Sequence, residues 1–399
     1  MVTVDLSAYG RGFFTDPYPY YARLREAGPV HEIVLADGDR FWLIVGYDEA
    51  RAALADPRLA KSLHPPSEDE RHVLITDPPD HTRLRRLVSR EFTARRVEAM
   101  RPRVQEITDG LLDEMVAGRR RADLVSALAS PLPITVLCEL LGVPFADRED
   151  FRGWTERVLV PAEPDTIAWW KSRGFAEAGM ALTDYLKNLI EDKRRCTPTG
   201  DLISSLLRTN AEDNDRLSAA ELGSMVFILI IAGHETTASL IANGVRTLLA
   251  NPEQLAALRT DPEGLIDQAV EEMLRYDGPV ETSTKRFTIE TVSYGDTKIP
   301  PGETVLVSIA AAGRDPAQFE RPDTFDIHRG TTGTRSGHVA FGHGIHFCLG
   351  AGLARMESRV AILTLLRRCP DLALDIDPAG LDWLPGIRVR GVRSLPVRW

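Results

Sequence analysis

The stretch from Ser218 to Asn251 constrains the fold most. It opens with Ser218-Ala-Ala-Glu221, where the hydroxyl and the carboxylate can each take a free backbone N–H. It stops at Asn251-Pro252, where the proline ring bars continuation. The spacing predicts one helix of roughly 32 residues, about 48 Å long. Every position from Met225 to Ala232 is apolar, so this part offers no side to water and has to cross the interior. Polarity then returns abruptly in Ala232-Gly233-His234-Glu235-Thr236-Thr237. A carboxylate and a hydroxyl inside an apolar helix are costly unless they are partnered or employed. Ala232 and Thr236 are four apart and share a face, while Gly233 leaves room for a flat or small ligand. Taken alone, the segment has two meanings. Either Thr236 bonds back to the Ala232 carbonyl and Glu235 is a satisfied core acid, or both serve chemistry.

Composition narrows the function classes. The 399 residues carry a net charge of −10, which argues against a general nucleic-acid binder. The four cysteines, Cys138, Cys196, Cys348 and Cys369, lie far apart without a Cys-x-x-Cys pair, as expected of reduced thiols in a cytosol. Met1-Val-Thr-Val-Asp-Leu-Ser7 has no basic region followed by an apolar run, so no signal peptide is read. The longest unbroken apolar run, Met225 to Ala232, is too short to span a bilayer. A cytoplasmic, soluble protein without a membrane anchor is expected. No repeat or Gly/Ser-rich linker divides the chain, so one domain over 1–399 is expected.

Along the chain, 17–28 reads as a helix, then Val30–Leu35 and Phe41–Val45 as a hairpin turned at Asp37-Gly38. A short helix at 48–55 is followed by a proline-rich loop over 61–80. A helical pattern, basic at first, runs from His81 to about Gly118, and an apolar helix covers 131–142. Further helices reach about 195, broken around Pro161, Pro164 and Trp169-Trp170. Short strands return after 280. The mixture predicts a mainly α domain with small β-sheets.

The last feature is Phe341-Gly-His-Gly-Ile-His-Phe-Cys348-Leu-Gly350, followed at once by a helical pattern up to Pro370. Cys348 therefore precedes a helix N-terminus, whose free N–H groups and dipole favour a thiolate. Gly342, Gly344, Gly350 and Gly352 let the backbone approach something flat. By itself Cys348 would pass for one more buried cysteine. Its spacing argues otherwise: Phe341, Gly344, Cys348 and Gly350 give Phe-x-x-Gly-x-x-x-Cys-x-Gly, which resembles the heme-binding loop of the cytochrome P-450 family.

Other segments resemble the same family in the same order. Ala232-Gly-His-Glu-Thr236 resembles its oxygen-activating helix. The resemblance makes Thr236 the support of an ordered water network, Glu235 the proton relay, Ala232 a wall of the heme site, and turns His234 away from it. Glu272 and Arg275, three apart on a helix, resemble the structural Glu-x-x-Arg pair. Thr324 stands where a third, basic member is common, with Arg321 or Arg329 as substitutes. His81, Arg85, Arg286 and His346 match the positions that hold the two heme propionates.

The resemblance implies the cytochrome P-450 fold, with heme between the central helix and the helix after the cysteine loop. It implies b-type heme (iron protoporphyrin IX) on Cys348, O2 as co-substrate, and insertion of one oxygen atom into a hydrophobic small molecule such as a macrolide, steroid or terpenoid. Substrate contacts are expected at 61–80, 160–172, Phe227, Ile231, Ala232, Val280 and Thr282. No flavin or nicotinamide fingerprint is visible, so NAD(P)H acts only through separate partners, a ferredoxin and its reductase. Arg83, Arg86, Arg90 or Arg355 would steer the ferredoxin to a monomer. The alternatives are a peroxide-driven oxygenase of the same fold and a heme sensor or carrier without catalysis.

Overall fold

The computed structural model describes residues 4–5, 10–34, 38, 40–159, 173–197, 199–212, 217–329 and 337–399. The expected break around 160–172 and the turn residue Asp37 lie outside them.

A six-stranded sheet gathers distant pieces of the chain. Its strands are β1 (Val4–Asp5), β2 (Val30–Val34), β3 (Arg40–Ile44), β4 (Leu59–Ala60), β6 (Arg286–Thr288) and β9 (Thr304–Val307), in the order β1-β2-β3-β9-β6-β4. Strands β2 and β3 form the expected hairpin, with Val30 opposite Ile44. The β4–β6 pairing is antiparallel, Leu59 opposite Thr288 and Ala60 opposite Phe287, which carries the next residue, Lys61, toward Arg286. Strand β5 (Arg121–Asp123) pairs with the C-terminal strand β11 (Pro396–Arg398), itself paired with β10 (Ala373–Leu374). Strands β7 (Val292–Tyr294) and β8 (Thr297–Ile299) form a separate hairpin.

Helices make up the remainder. Among the described residues, the N-terminal ones are α1 (Gly10–Thr15), α2 (Tyr18–Ala27), α3 (Tyr47–Ala55), α4 (Asp80–Ser89) and α5 (Ala94–Val116). They continue as α6 (Pro131–Leu141), α7 (Arg148–Leu159), α8 (Arg173–Arg195) and α9 (Leu202–Glu212). The largest core cluster joins α5 through Val104 and Leu112 to Leu240, Ile241 and Val245 of the central segment and to Ile362 and Leu365 near the C-terminus. Burying a side chain of this size removes about 2 kcal/mol worth of apolar surface from water, so this layer fixes how the central segment lies.

That segment departs from the sequence expectation. It forms two helices, α10 (Ala219–Gly233) and α11 (Glu235–Ala250), parted at His234 with φ −82° and ψ −69°. The Ser218–Glu221 box forms at its start. At the break the Thr236 hydroxyl donates to the Ala232 carbonyl at 2.9 Å. By length and composition the run Ala219–Ala250 resembles a membrane-crossing helix, which the count of unbroken apolar residues had not suggested. More than half of its apolar window is buried in protein. Helices α12 (Pro252–Thr260), α13 (Pro262–Asp277), α14 (Ile309–Gly313) and α15 (Ala351–Arg368) complete the core, with α11 packed on both α13 and α15.

Candidate active site

Cys348 lies two residues before Gly350, the N-cap of α15. Its N–H donates to the Phe341 carbonyl at 2.8 Å, and the Gly342 N–H donates to Val339 at 2.8 Å, closing the loop on itself. Gly344 needs its glycine twice over. Its φ is +75°, and a Cβ there would sit 3.0 Å from the Ala55 Cα. Its close neighbour is thus the end of α3 rather than a flat ligand. The thiol side is open, for Cys348, Ile345 and Phe347 are all exposed. Surrounding protein pushes the thiol's pKa up, while the N–H groups of Gly350 and Ala351 and the cations of Arg85 and Arg355 pull it down. The helix end favours the thiolate as expected, yet burial outweighs it.

A knot of cationic side chains stands beside the loop. His81 is buried, and neither ring nitrogen has a partner. Its ring centroid is 4.2 Å from that of His346. Arg286 donates from Nη2 to the Leu54 carbonyl at 3.0 Å, but its Nε is buried without a partner. Lys61, brought there by the β4–β6 register, donates its Nζ to the Thr284 hydroxyl. Burial, and after it the repulsion of Lys61, His81 and Arg286, holds His346 down to about 2. Lys61 is held down to about 7 by burial and then by Arg286. Arg85, one turn from His81, is lowered by burial against the pull of Cys348. Asp77 is the carboxylate that opposes Lys61, His81 and Arg286 alike. Orphaned buried nitrogens and uncompensated positive charge beside an open thiol fit a flat group that carries two carboxylates and a metal. Sequence reasoning missed Lys61, because only the strand pairing brings it opposite Arg286.

The polar step of the central segment forms another part of the site. Ala232 is exposed and Thr236 half-buried, while His234 is buried on another side. The His234 Nε2 lies 3.1 Å from the Ser130 carbonyl and 3.2 Å from its hydroxyl, turned toward the start of α6. A Cβ on Gly233 would touch Leu137 of α6 at 3.4 Å. Its smallness admits α6 and opens no space for a ligand, contrary to the expectation. Burial pushes Glu235 up to about 7, with Arg388 pulling the other way. Leu349 of the cysteine loop packs on the cluster that holds Met225, Val226 and Ile230, which ties the loop to α10.

Residues 46–372 match the family model for cytochrome P450. The chain belongs to the cytochrome P450 family. It is 54% identical to the cytochrome P450 monooxygenase PikC of Streptomyces venezuelae over 99% of this chain and 94% of that one. It is 45% identical to 6-deoxyerythronolide B hydroxylase of Saccharopolyspora erythraea, over 97% and 96%. Among solved structures, the ligand-free P450 monooxygenase TamI superposes with a TM-score of 0.88 at 43% identity, covering 100% of this chain and 94% of the other. This P450 is an oxygen-incorporating oxidoreductase, and its family uses heme iron and O2.

The Glu-x-x-Arg pair of this P450 is buried. Arg275 donates Nε and Nη2 to the two oxygens of Glu272, each at 2.7 Å, and spends its other N–H groups on the carbonyls of Gly313, Pro322 and Thr324. Thr324 contributes no base, and Arg329 meets Glu272 instead. Of the expected substrate contacts, Phe227, Ile231 and Val280 are half-buried and Ala232 is exposed. Thr282 is buried, and its hydroxyl donates to the Ile387 carbonyl at 2.6 Å, so it serves the backbone. Arg388, on that same C-terminal segment, was not singled out. Its Ile387-Arg388-Val389-Arg390 alternation hints at a strand without revealing what the strand faces.

Proposed function

We propose that this P450 inserts one atom of O2 into a C–H bond of an apolar secondary metabolite of polyketide type. Its electrons come from a separate ferredoxin and reductase. The observation that carries this reading is the open thiol of Cys348 beside partnerless nitrogens of His81 and Arg286. Relatives support the substrate class: besides the two above, mycinamicin IV hydroxylase/epoxidase of Micromonospora griseorubida is 40% identical.

The sulfur of Cys348 would be the metal ligand, and His81, Arg85, Arg286 and His346, with Lys61, would hold the two propionates. The bound heme would supply the oxygen chemistry, and a thiolate ligand would favour O–O cleavage. Glu235, held up to about 7, can take a proton from solvent and pass it on near neutral pH. The Thr236 hydroxyl stands on the exposed Ala232 side, where it can anchor a water when it leaves the Ala232 carbonyl. Phe227, Ile231 and Val280 line an apolar bed for the substrate.

The surface for an acidic ferredoxin rests on fewer arginines than the sequence suggested. Arg83 is tied to Glu221, and Arg355 to Glu271 at 2.5 Å. Arg90, exposed just beyond α4, carries the steering charge.

The test is spectroscopic and chemical. The purified reduced protein is expected to show the red-shifted carbon monoxide band of a thiolate-bound heme, and Cys348→Ala to lose it. Product from a polyketide library should require ferredoxin and reductase. A Cys348→Ala protein with unchanged pigment and spectrum overturns the reading.

A further inference from the structure

Arg388 contrasts with Arg390, its neighbour on the same C-terminal segment. Its backbone is fixed firmly: its carbonyl accepts the Glu281 N–H at 2.9 Å, Val389 bridges Val280, and the Arg390 N–H donates to Pro279 at 2.8 Å. The segment is therefore stitched to residues 279–282, beside Val280 of the substrate bed. The neighbouring Arg390 is fully engaged, with Asp277 at 2.6 Å and the carbonyls of Phe14 and Thr15. The Arg388 guanidinium makes no hydrogen bond or ion pair among the described residues, and although its side chain is exposed, the surrounding protein strips part of its hydration and lowers its pKa. Its charge reaches both Lys61 and Glu235, and it makes no hydrogen bond or ion pair with either. A guanidinium with five N–H donors, on a fixed backbone and partly desolvated, calls for a planar anion.

We propose that Arg388 is a specificity-determining residue that binds the carboxylate of an otherwise apolar substrate. This rests on the monooxygenase reading, since it names the substrate class of the same cleft. The cofactor's own carboxylates would have other holders, His81, Arg85, Arg286, His346 and Lys61. Glu235 of the central segment is the acid whose charge Arg388 feels, and the backbone pairing places Arg388 beside residues 279–282. An ammonium-bearing substrate would meet repulsion from both Arg388 and Lys61. The substrate thus lies with its carboxylate at the C-terminal segment and its carbon chain along Phe227, Ile231 and Val280.

The test uses the ferric holoenzyme and three probes with one tail: dodecanoate, methyl dodecanoate and dodecyltrimethylammonium, titrated calorimetrically below their micelle concentrations. Dodecanoate is expected to bind at least about tenfold more tightly than the other two, the effect of one charge-assisted hydrogen-bonded pair. Arg388→Leu should erase that preference while retaining heme, and Arg388→Lys should keep part of it. Equal affinity for acid and ester, absence of acid binding, or a preference that survives in Arg388→Leu overturns the proposal. A preference that survives while heme is lost more readily assigns Arg388 to the cofactor's carboxylates and overturns it too. Failure of the monooxygenase reading would show separately, as a missing red-shifted carbon monoxide band in the unmodified protein.

Discussion

Arg329 sets its Nε 3.2 Å from both oxygens of Glu272, sharing with Arg275 a carboxylate that is 3% exposed. Two guanidiniums on one buried acid leave no spare charge on the acid but a large penalty if it is removed. Glu272→Ala should therefore cost about 3–5 kcal/mol, the range for orphaning a buried charge. Arg329→Ala should cost less, because Arg275 remains bidentate and Arg329 is partly exposed. Denaturant unfolding of the three proteins checks the order, and a Glu272→Ala loss no larger than that of Arg329→Ala contradicts it.

Thr236 is expected to matter to chemistry far more than to folding. Its hydroxyl bonds within its own helix turn, so Thr236→Ala should change stability by no more than about 1 kcal/mol. The fraction of electrons lost to hydrogen peroxide should rise severalfold. Product and peroxide measured per NAD(P)H consumed decide this. Undiminished coupling would favour the peroxide-driven alternative.

Burial lifts Glu235 to about 7, well above an ordinary glutamate, with Arg388 opposing. Glu235→Gln should lower kcat by about a hundredfold, the usual worth of a positioned proton donor. The sign of the stability effect follows from the same shift. The folded state binds the proton more tightly than the unfolded state, so the contribution is complete below the unfolded value and is lost as pH rises through about 7. Glu235→Gln should flatten that part of the stability-versus-pH curve.

Glu357 on α15 obeys the same sign more strongly. It is buried, its Oε2 has no partner, and desolvation alone pushes it up to about 8. Stability should fall as pH rises from the ordinary glutamate range through 8. Glu357→Gln should raise stability at pH 9 by on the order of 1–3 kcal/mol and leave it nearly unchanged at pH 4. Thermal unfolding at the two pH values measures the difference.

His234 holds the break between α10 and α11 to Ser130. His234→Phe removes that tie and leaves the Ser130 carbonyl without the bond. A loss of about 1–3 kcal/mol is expected. Hydrogen exchange should quicken at Glu235 and Thr236 before it does in α13, and uniform change across both would contradict the assignment.

The reading from sequence succeeded where chemistry is written into local spacing. The capping box at Ser218, the proline after Asn251, the cysteine just ahead of a helix, and Glu272 with Arg275 one turn apart are short-range relationships, and period and stop signals carry them. His81, Arg85, Arg286 and His346 were singled out only by their place in a recognisable order. It determined by itself the mainly helical class, the family and the residues of the thiolate loop. Tertiary structure alone decided that Lys61 lies opposite Arg286, that Arg329 takes the place left by Thr324, that Gly233 faces Leu137, and that the Arg388 segment pairs with residues 279–281 while its guanidinium makes no ion pair among the described residues. Each of those depends on contacts between segments tens to hundreds of residues apart, set by strand register and core packing, which leave no periodic trace along the chain.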